Sequence, residues 1–348
     1  GLLEQGFTHV YEAEHGTGIL IDEINNYVKK HTDIKPVISS FCPAIIRLIQ
    51  VKFPSLCENI QLLKPPLDIA ALSFRKELIS RGYNEDEIGI FYITPCAAQI
   101  AAVKSPVGEM YSHIDGVINM DLIFNKVYTG FKKEQKSSSI VPEKEQLRPE
   151  EMIWSLTGGE SKNIEGRSLA IDGIDNAIDF LEGIENGDIT NFDFIEVRSC
   201  DQSCAGGILT TANRFLTKER LEERCQKYIN YKEQGRIFDN KTIYKHSEYI
   251  KANVSIHAVE PRSMLKLDED MESAMKKMEK IRKINTFLPG IDCGACGSSS
   301  CRTLAEDIVQ GRANTSDCIF IQTSLNTPQD QPIRAEKIWG IKRLRKLT

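Results

Sequence analysis

The chain has 348 residues, 41% hydrophobic and 27% charged, with 44 Lys and Arg against 49 Asp and Glu for a formal net charge of −5. This supplies core material for two domains or one large two-lobed domain, and the acidic balance excludes a general nucleic-acid binder. No run reaches the roughly 18 apolar residues of a membrane span, and no secretory signal opens the chain, so its ten cysteines are expected as metal ligands in a cytoplasmic protein rather than as disulfides.

Residues 8–30 predict a short strand, a polar turn and a helix carrying Ile19, Leu20, Ile24 and Val28. Pro36–Ser40 is a compact strand that ends in Phe41-Cys42-Pro43, and Pro43 suits the first turn of the helix that follows. After the Pro65-Pro66 break a helix is expected from about Asp68 to Arg81. Ile88–Ile93 is a buried strand, ending in Thr94-Pro95-Cys96 before the helix-prone run A-A-Q-I-A-A-V. Another strand and helix are expected over 114–131, a charged surface loop over 132–150 and a tight turn over Trp154–Gly159. Ser168–Ile171 is a strand, 174–185 an amphipathic helix and Phe194–Val197 a buried strand running into Cys200 and Cys204. Charged helices follow at 214–235 and 267–284. In the second, Leu267, Met271, Met275, Met278 and Ile281 form a core-facing stripe.

Three strands therefore end in a cysteine loop. Strand–helix alternation predicts parallel sheets, whose carboxyl ends share one edge. Cys42, Cys96, Cys200 and Cys204 are then expected to converge, which is the ligand set of a 4Fe–4S cluster or a structural zinc. Cys57 and Cys225 have no matching partners and are read as packing or surface residues.

Pro289-Gly290 opens a second module, in which Cys293, Cys296, Cys301 and Cys318 are spaced C-x2-C-x4-C-x16-C. Gly294 and Gly297 let the backbone wrap closely and aim N–H groups at inorganic sulfides. A helix over Thr303–Val309 turns its positive end to an anionic cluster. Zinc sites favour two paired cysteine knuckles, whereas here the last cysteine stands alone. The stretch resembles the small 4Fe–4S domain of electron-transport complex subunits and corrinoid iron–sulfur proteins.

Residues 1 to about 235 resemble the catalytic domain of the FeFe (iron-only) hydrogenases. The resemblance is carried by S-S-F-C-P at 39–43, T-P-C-A-A-Q at 94–99, E-V-R-S-C-D-Q-S-C-A-G-G at 196–207 and L-T-G-G at 156–159. It implies an α/β fold of two lobes with parallel sheets flanked by helices, followed by the small C-terminal iron–sulfur domain. It also implies that Cys42, Cys96, Cys200 and Cys204 bind the 4Fe–4S part of the H-cluster, with Cys204 as the bridge to a two-iron subsite. With the second cysteine cluster at 293–318, the chain resembles the divergent, sensory branch of the family.

The positions around that subsite depart from the active members. Phe41 stands where they have a proton-relaying cysteine, and Gln99 where a lysine holds a cyanide. Thr94 and Arg198 stand where they have methionines. Loss of general acid transfer alone is worth roughly 10²–10⁴-fold. The expectation is thus an iron–sulfur protein with two 4Fe–4S clusters, acting in electron transfer or in redox or hydrogen sensing. A slow but genuine hydrogenase with a complete H-cluster and a zinc-stabilised interaction protein are the alternatives.

Expected partners are an electron donor or acceptor such as ferredoxin or a hydrogenase subunit, and a signalling protein. The expected domains are 1–235, a helical connection 236–287, the 4Fe–4S domain 288–325 and a tail 326–348. The missing initiator Met suggests a piece of a longer product, with ferredoxin-type clusters before it and a signalling domain after it. The basic end at 342–346 is read as a solvated helix terminus.

Overall fold

The computed structural model describes residues 1–134, 147–234, 246–262, 267–268, 270–298 and 300–321. The chain forms two compact units, one of residues 1–96 and 108–262, the other of 97–107 with the chain from 263 on. The tail after 326, its basic end, and most of the 132–150 loop lie outside the described residues.

In chain order the elements are α1 (Thr17–Lys30), β1 (Val37–Ile38), α2 (Pro43–Lys52), α3 (Pro66–Ser80), β2 (Phe91–Thr94), α4 (Ala97–Lys104), β3 (Gly116–Asn119), α5 (Met120–Glu134) and α6 (Pro149–Met152). Then come β4 (Ser168–Ile171), α7 (Ile174–Glu185), β5 (Phe194–Val197), α8 (Arg214–Glu233), α9 (Ser247–Ala252), α10 (Met271–Phe287) and α11 (Cys301–Val309). Pro43, Pro66 and Pro149 each start a helix, where a missing N–H leaves no bond unmade.

In the first unit, β1, β5 and β4 form a parallel sheet in that order, with Val37 opposite Phe194 and Ile171 opposite Val197. The central strand β5 is buried at every position, the pattern of a parallel strand covered on both faces. Ile19, Leu20, Ile24 and Val28 of α1 pack into one core with Val37, Phe194 and Trp154. Their near-fourfold spacing is that of one helix face, and each fully buried aliphatic side chain contributes about 1.5–3 kcal/mol. A separate parallel pair, β2 and β3, sets Phe91 opposite Gly116 and Thr94 opposite Asn119.

The structure corrects four expectations. The cysteine-bearing strands lie in two sheets, not one, since β2 pairs with β3 alone. The strand expected near residue 8 is absent; a 3-10 turn, Ala13–Gly16, leads into α1 instead. Gly16 lies so close to α3 that a Cβ there would meet Ile69 Cγ2 at 2.6 Å, so this segment packs on a helix rather than pairing in a sheet. The strand expected at 88–93 begins only at Phe91, whose ring is exposed.

The fourth correction lies in the second unit. Ile281, Leu288, Leu304 and Ala305 form its core together with Cys301 and Cys318. Of the expected stripe only Ile281 is buried: Met271 is 81% and Met275 68% exposed, and Met278 is exposed as well. The nine-residue α11 is too short to cover the seventeen residues of α10, which leaves the first turns of α10 outside the core.

Candidate metal centres

Adjacent parallel strands bring the first thiols together. β1 runs out to Cys42, whose extended backbone caps α2, and β5 beside it runs out to Cys200. Ser199 Oγ lies 3.6 Å from Cys42 Sγ and 3.8 Å from Cys200 Sγ, so one hydroxyl spans the two strand ends. Burial pushes the Cys204 thiol well up; Arg198 opposes this, and Cys42, Cys96 and Cys200 add to it. All four cysteines named from the sequence are therefore within electrostatic reach of one another. A buried thiol of this kind gives up its proton on binding metal.

The loop from Cys200 to Cys204 is held in an uncommon shape. Gln202 and Ser203 both have left-handed backbones, φ 61° and 53°, and non-glycine residues there store about 1–3 kcal/mol each. The L-T-G-G turn holds them in place. The Gln202 N–H donates to Asp172, Ser203 Oγ meets Thr157 Oγ1 at 2.9 Å, and the Cys204 N–H donates to Ser155 O.

Cys96 arrives from the other sheet. Thr94 is buried, and its hydroxyl accepts the Cys96 N–H at 3.1 Å and donates to the Cys96 carbonyl at 3.3 Å. Thr94 thus shapes the ligand turn itself. The two ligand loops then touch through backbone: the Leu209 N–H donates to Pro95 O at 3.1 Å, and a Cβ on Gly207 would stand 2.4 Å from that same oxygen. Only glycine allows the approach.

Arg198 is 1% exposed. Its Nη2 donates to Glu160 Oε2 at 2.9 Å and its Nε to Glu196 Oε1 at 3.3 Å, while the guanidinium lies 3.8 Å from the centre of the Phe41 ring. Phe41 therefore packs on a cation and offers no exchangeable proton. Gln99 is buried on α4, in the second unit.

In the second unit, Cys293, Cys296, Cys301 and Cys318 line one cavity of about 280 Å³ that is partly open to solvent. Cys293 is exposed, whereas Cys301 and Cys318 are buried. The helix at this site starts at Cys301, two residues before its expected start. Ser300 caps it by accepting the Thr303 N–H, and the Cys301 N–H donates to Asp292 at 2.6 Å. Gly294 and Gly297 have φ 68° and 89°, and the Gly297 N–H donates to Gly294 O at 2.8 Å. Gly297 also seats the loop on α4, because a Cβ there would meet Ala101 Cα at 2.6 Å. Lys104 of α4 donates to the Asp317 carbonyl at 3.3 Å, beside Cys318. These contacts place α4 in the second unit.

Among the described residues no three His, Cys, Asp or Glu side chains converge closely enough for a single ion. A tetrahedral zinc demands such closeness, with Zn–S near 2.3 Å. Two sets of four thiols that share a region but stand apart fit a multi-iron group better. Sequence reasoning missed Ser199, Glu160 and Glu196. A glutamate inside the apolar run Phe194–Val197 was the available signal, since a charge buried in a central strand requires partners.

Residues 1–159 match the family model described as iron only hydrogenase large subunit, C-terminal domain. Residues 288–320 match one described as "Putative Fe-S cluster". A structure of HydA(deltaEFG), titled for stepwise FeFe-hydrogenase H-cluster assembly, aligns with a TM-score of 0.52 and 14% identity over 75% of this chain and 86% of its own. Two variants of the FeFe-hydrogenase HydA1 from Chlamydomonas reinhardtii, one of them apo, align with TM-scores of 0.52 and 0.53, each at 14% identity over 76% of this chain and 87% of theirs. No curated protein matches the sequence. The fold is thus that of the FeFe-hydrogenases, and the chain joins a C-terminal domain of the iron-only hydrogenase large-chain family, matched over residues 1–159, to an Fe–S cluster domain at residues 288–320.

Proposed function

We propose that the chain is a cytoplasmic iron–sulfur protein with two 4Fe–4S clusters that works in electron transfer or in redox or hydrogen sensing. Cys42, Cys96, Cys200 and Cys204 hold one cluster; Cys293, Cys296, Cys301 and Cys318 hold the other. The observation that carries this reading is the shared cavity of the second four cysteines, in a stretch that matches an Fe–S family. Each cluster supplies a one-electron couple when bound. The chain's own residues exclude water, set the thiols apart and place backbone and side-chain donors around them. The second cluster, with Cys293 exposed, exchanges electrons with a partner such as a ferredoxin.

A two-iron subsite bridged through Cys204 belongs to the second reading, a slow hydrogenase, which the match over residues 1–159 favours. Against fast turnover stand Phe41, packed on Arg198, and Gln99, which is uncharged. Infrared bands of bound CO and cyanide after maturation support the hydrogenase; their absence with both clusters loaded supports the electron-transfer protein. Cys204→Ala and Cys318→Ala test the ligand sets, each expected to halve the iron while leaving the other cluster's EPR signal. Unchanged iron in either variant sinks the corresponding assignment.

A further inference from the structure

We infer that Arg198 Nη1 is the hydrogen-bond donor which the first thiol site directs at its bound cluster, raising that cluster's reduction potential. This rests on the assignment of a cluster to Cys42, Cys96, Cys200 and Cys204. Two of the three guanidinium nitrogens are fixed by Glu160 and Glu196. Those carboxylates are fixed in turn. Glu196 accepts the N–H groups of Gly158, Glu160 and Ser161, at 3.1, 3.1 and 2.8 Å, and Glu160 accepts Ser39 Oγ at 2.6 Å. The Phe41 ring holds the guanidinium plane from one side. A planar fork anchored this way has little freedom to turn.

The third nitrogen, Nη1, is buried and finds no acceptor. A buried donor left unpaired costs about 1–3 kcal/mol, and more when charged. The charge is nonetheless firmly held: burial works against it, but Glu196 and Glu160 outweigh burial, and the Cys204 and Cys42 thiols also respond to it. Neutral thiols are weak acceptors, whereas thiolates and cluster sulfides are strong ones. A bound cluster therefore supplies the acceptor that the protein lacks. A donor at a cluster's sulfurs, and positive charge beside it, favour the more negative reduced state.

The test uses the full chain, prepared anaerobically with both clusters, and titrates their EPR signals against potential. Arg198→Met alone would strand buried carboxylates, so it is paired with Glu160→Gln. In this double variant the first cluster's midpoint is expected to fall by at least about 59 mV, a tenfold change for one electron, while the second cluster's stays where it was. Arg198→Lys keeps the charge but loses the fork, and a smaller fall is expected. Should the double variant not fold, this variant decides alone. A first-cluster midpoint that moves in neither variant overturns the inference and leaves the cluster assignment standing. Wild-type protein that carries only the second cluster overturns both.

Discussion

Replacing Gly207 with alanine puts a methyl group where the Pro95 carbonyl already stands. The new Cβ would lie 2.4 Å from Pro95 O and 3.1 Å from Cys204 O, and both neighbours are backbone. To move from 2.4 Å to 3.4 Å, the near edge of ordinary contact, the two loops must part by about 1 Å. The backbone of Gly207, at φ −58° and ψ 139°, is open to any residue, so the penalty is steric rather than conformational. Overpacking of this kind costs about 1–3 kcal/mol, and parting the loops adds the Leu209–Pro95 hydrogen bond, about 0.5–1.5 kcal/mol.

The displaced loops carry Cys96 on one side and Cys204 on the other, so the loss should fall on the first cluster. The control is Gly187→Ala. Gly187 has φ 79° and open space around it, so alanine there costs about 1–2 kcal/mol through its dihedral alone. Iron and sulfide are counted in both variants, with stability from chemical denaturation. Gly207→Ala is expected to lose the first cluster and keep the second, and Gly187→Ala to keep both. Full iron in Gly207→Ala, with stability unchanged, refutes the claim that this backbone contact sets the thiol arrangement.

In the second unit, Gly297→Ala combines a φ of 89° with a collision at Ala101; loss of the second cluster with the first cluster's EPR signal retained is the expected result. Gln202→Gly should raise stability by about 1 kcal/mol, because glycine accepts the left-handed backbone that glutamine is forced into; a melting temperature that falls contradicts stored strain in the loop. Burial raises Glu160 to about 7, with Arg198 opposing and Glu196 reinforcing. The folded chain keeps this proton where the unfolded chain releases it, so stability should decline as pH rises from about 4.5 through 7. Glu160→Gln should remove that decline, which denaturation curves across this range will show.

The elements nearest the first site were legible in the sequence. β4, α7 and β5 begin and end at the expected residues, because short apolar runs alternate there with glycine and a clear helical period. The four-thiol grouping was legible too, since strand ends of a parallel sheet share an edge. What pairs with what was not: β2 carries Cys96 in a sheet of its own, and nothing in its apolar run distinguishes the two sheets. α4 was equally opaque. Its run A-A-Q-I-A-A-V is apolar all round, so periodicity could not reveal that Ala101 packs on Gly297. The methionines of α10 show the opposite failure, a regular stripe whose first turns lack a covering helix. Arg198 was noticed as a departure, but its role depends on Glu160, 38 residues away in sequence, and no local pattern pairs them.

The central claim is that both sets of four cysteines hold iron–sulfur clusters. Iron, acid-labile sulfide and zinc, measured with EPR on one anaerobic preparation of the full chain, test it most directly. The account predicts about eight iron and eight sulfide per chain, four for each cluster, with two distinct reduced signals and no zinc. Zinc bound without sulfide would contradict it.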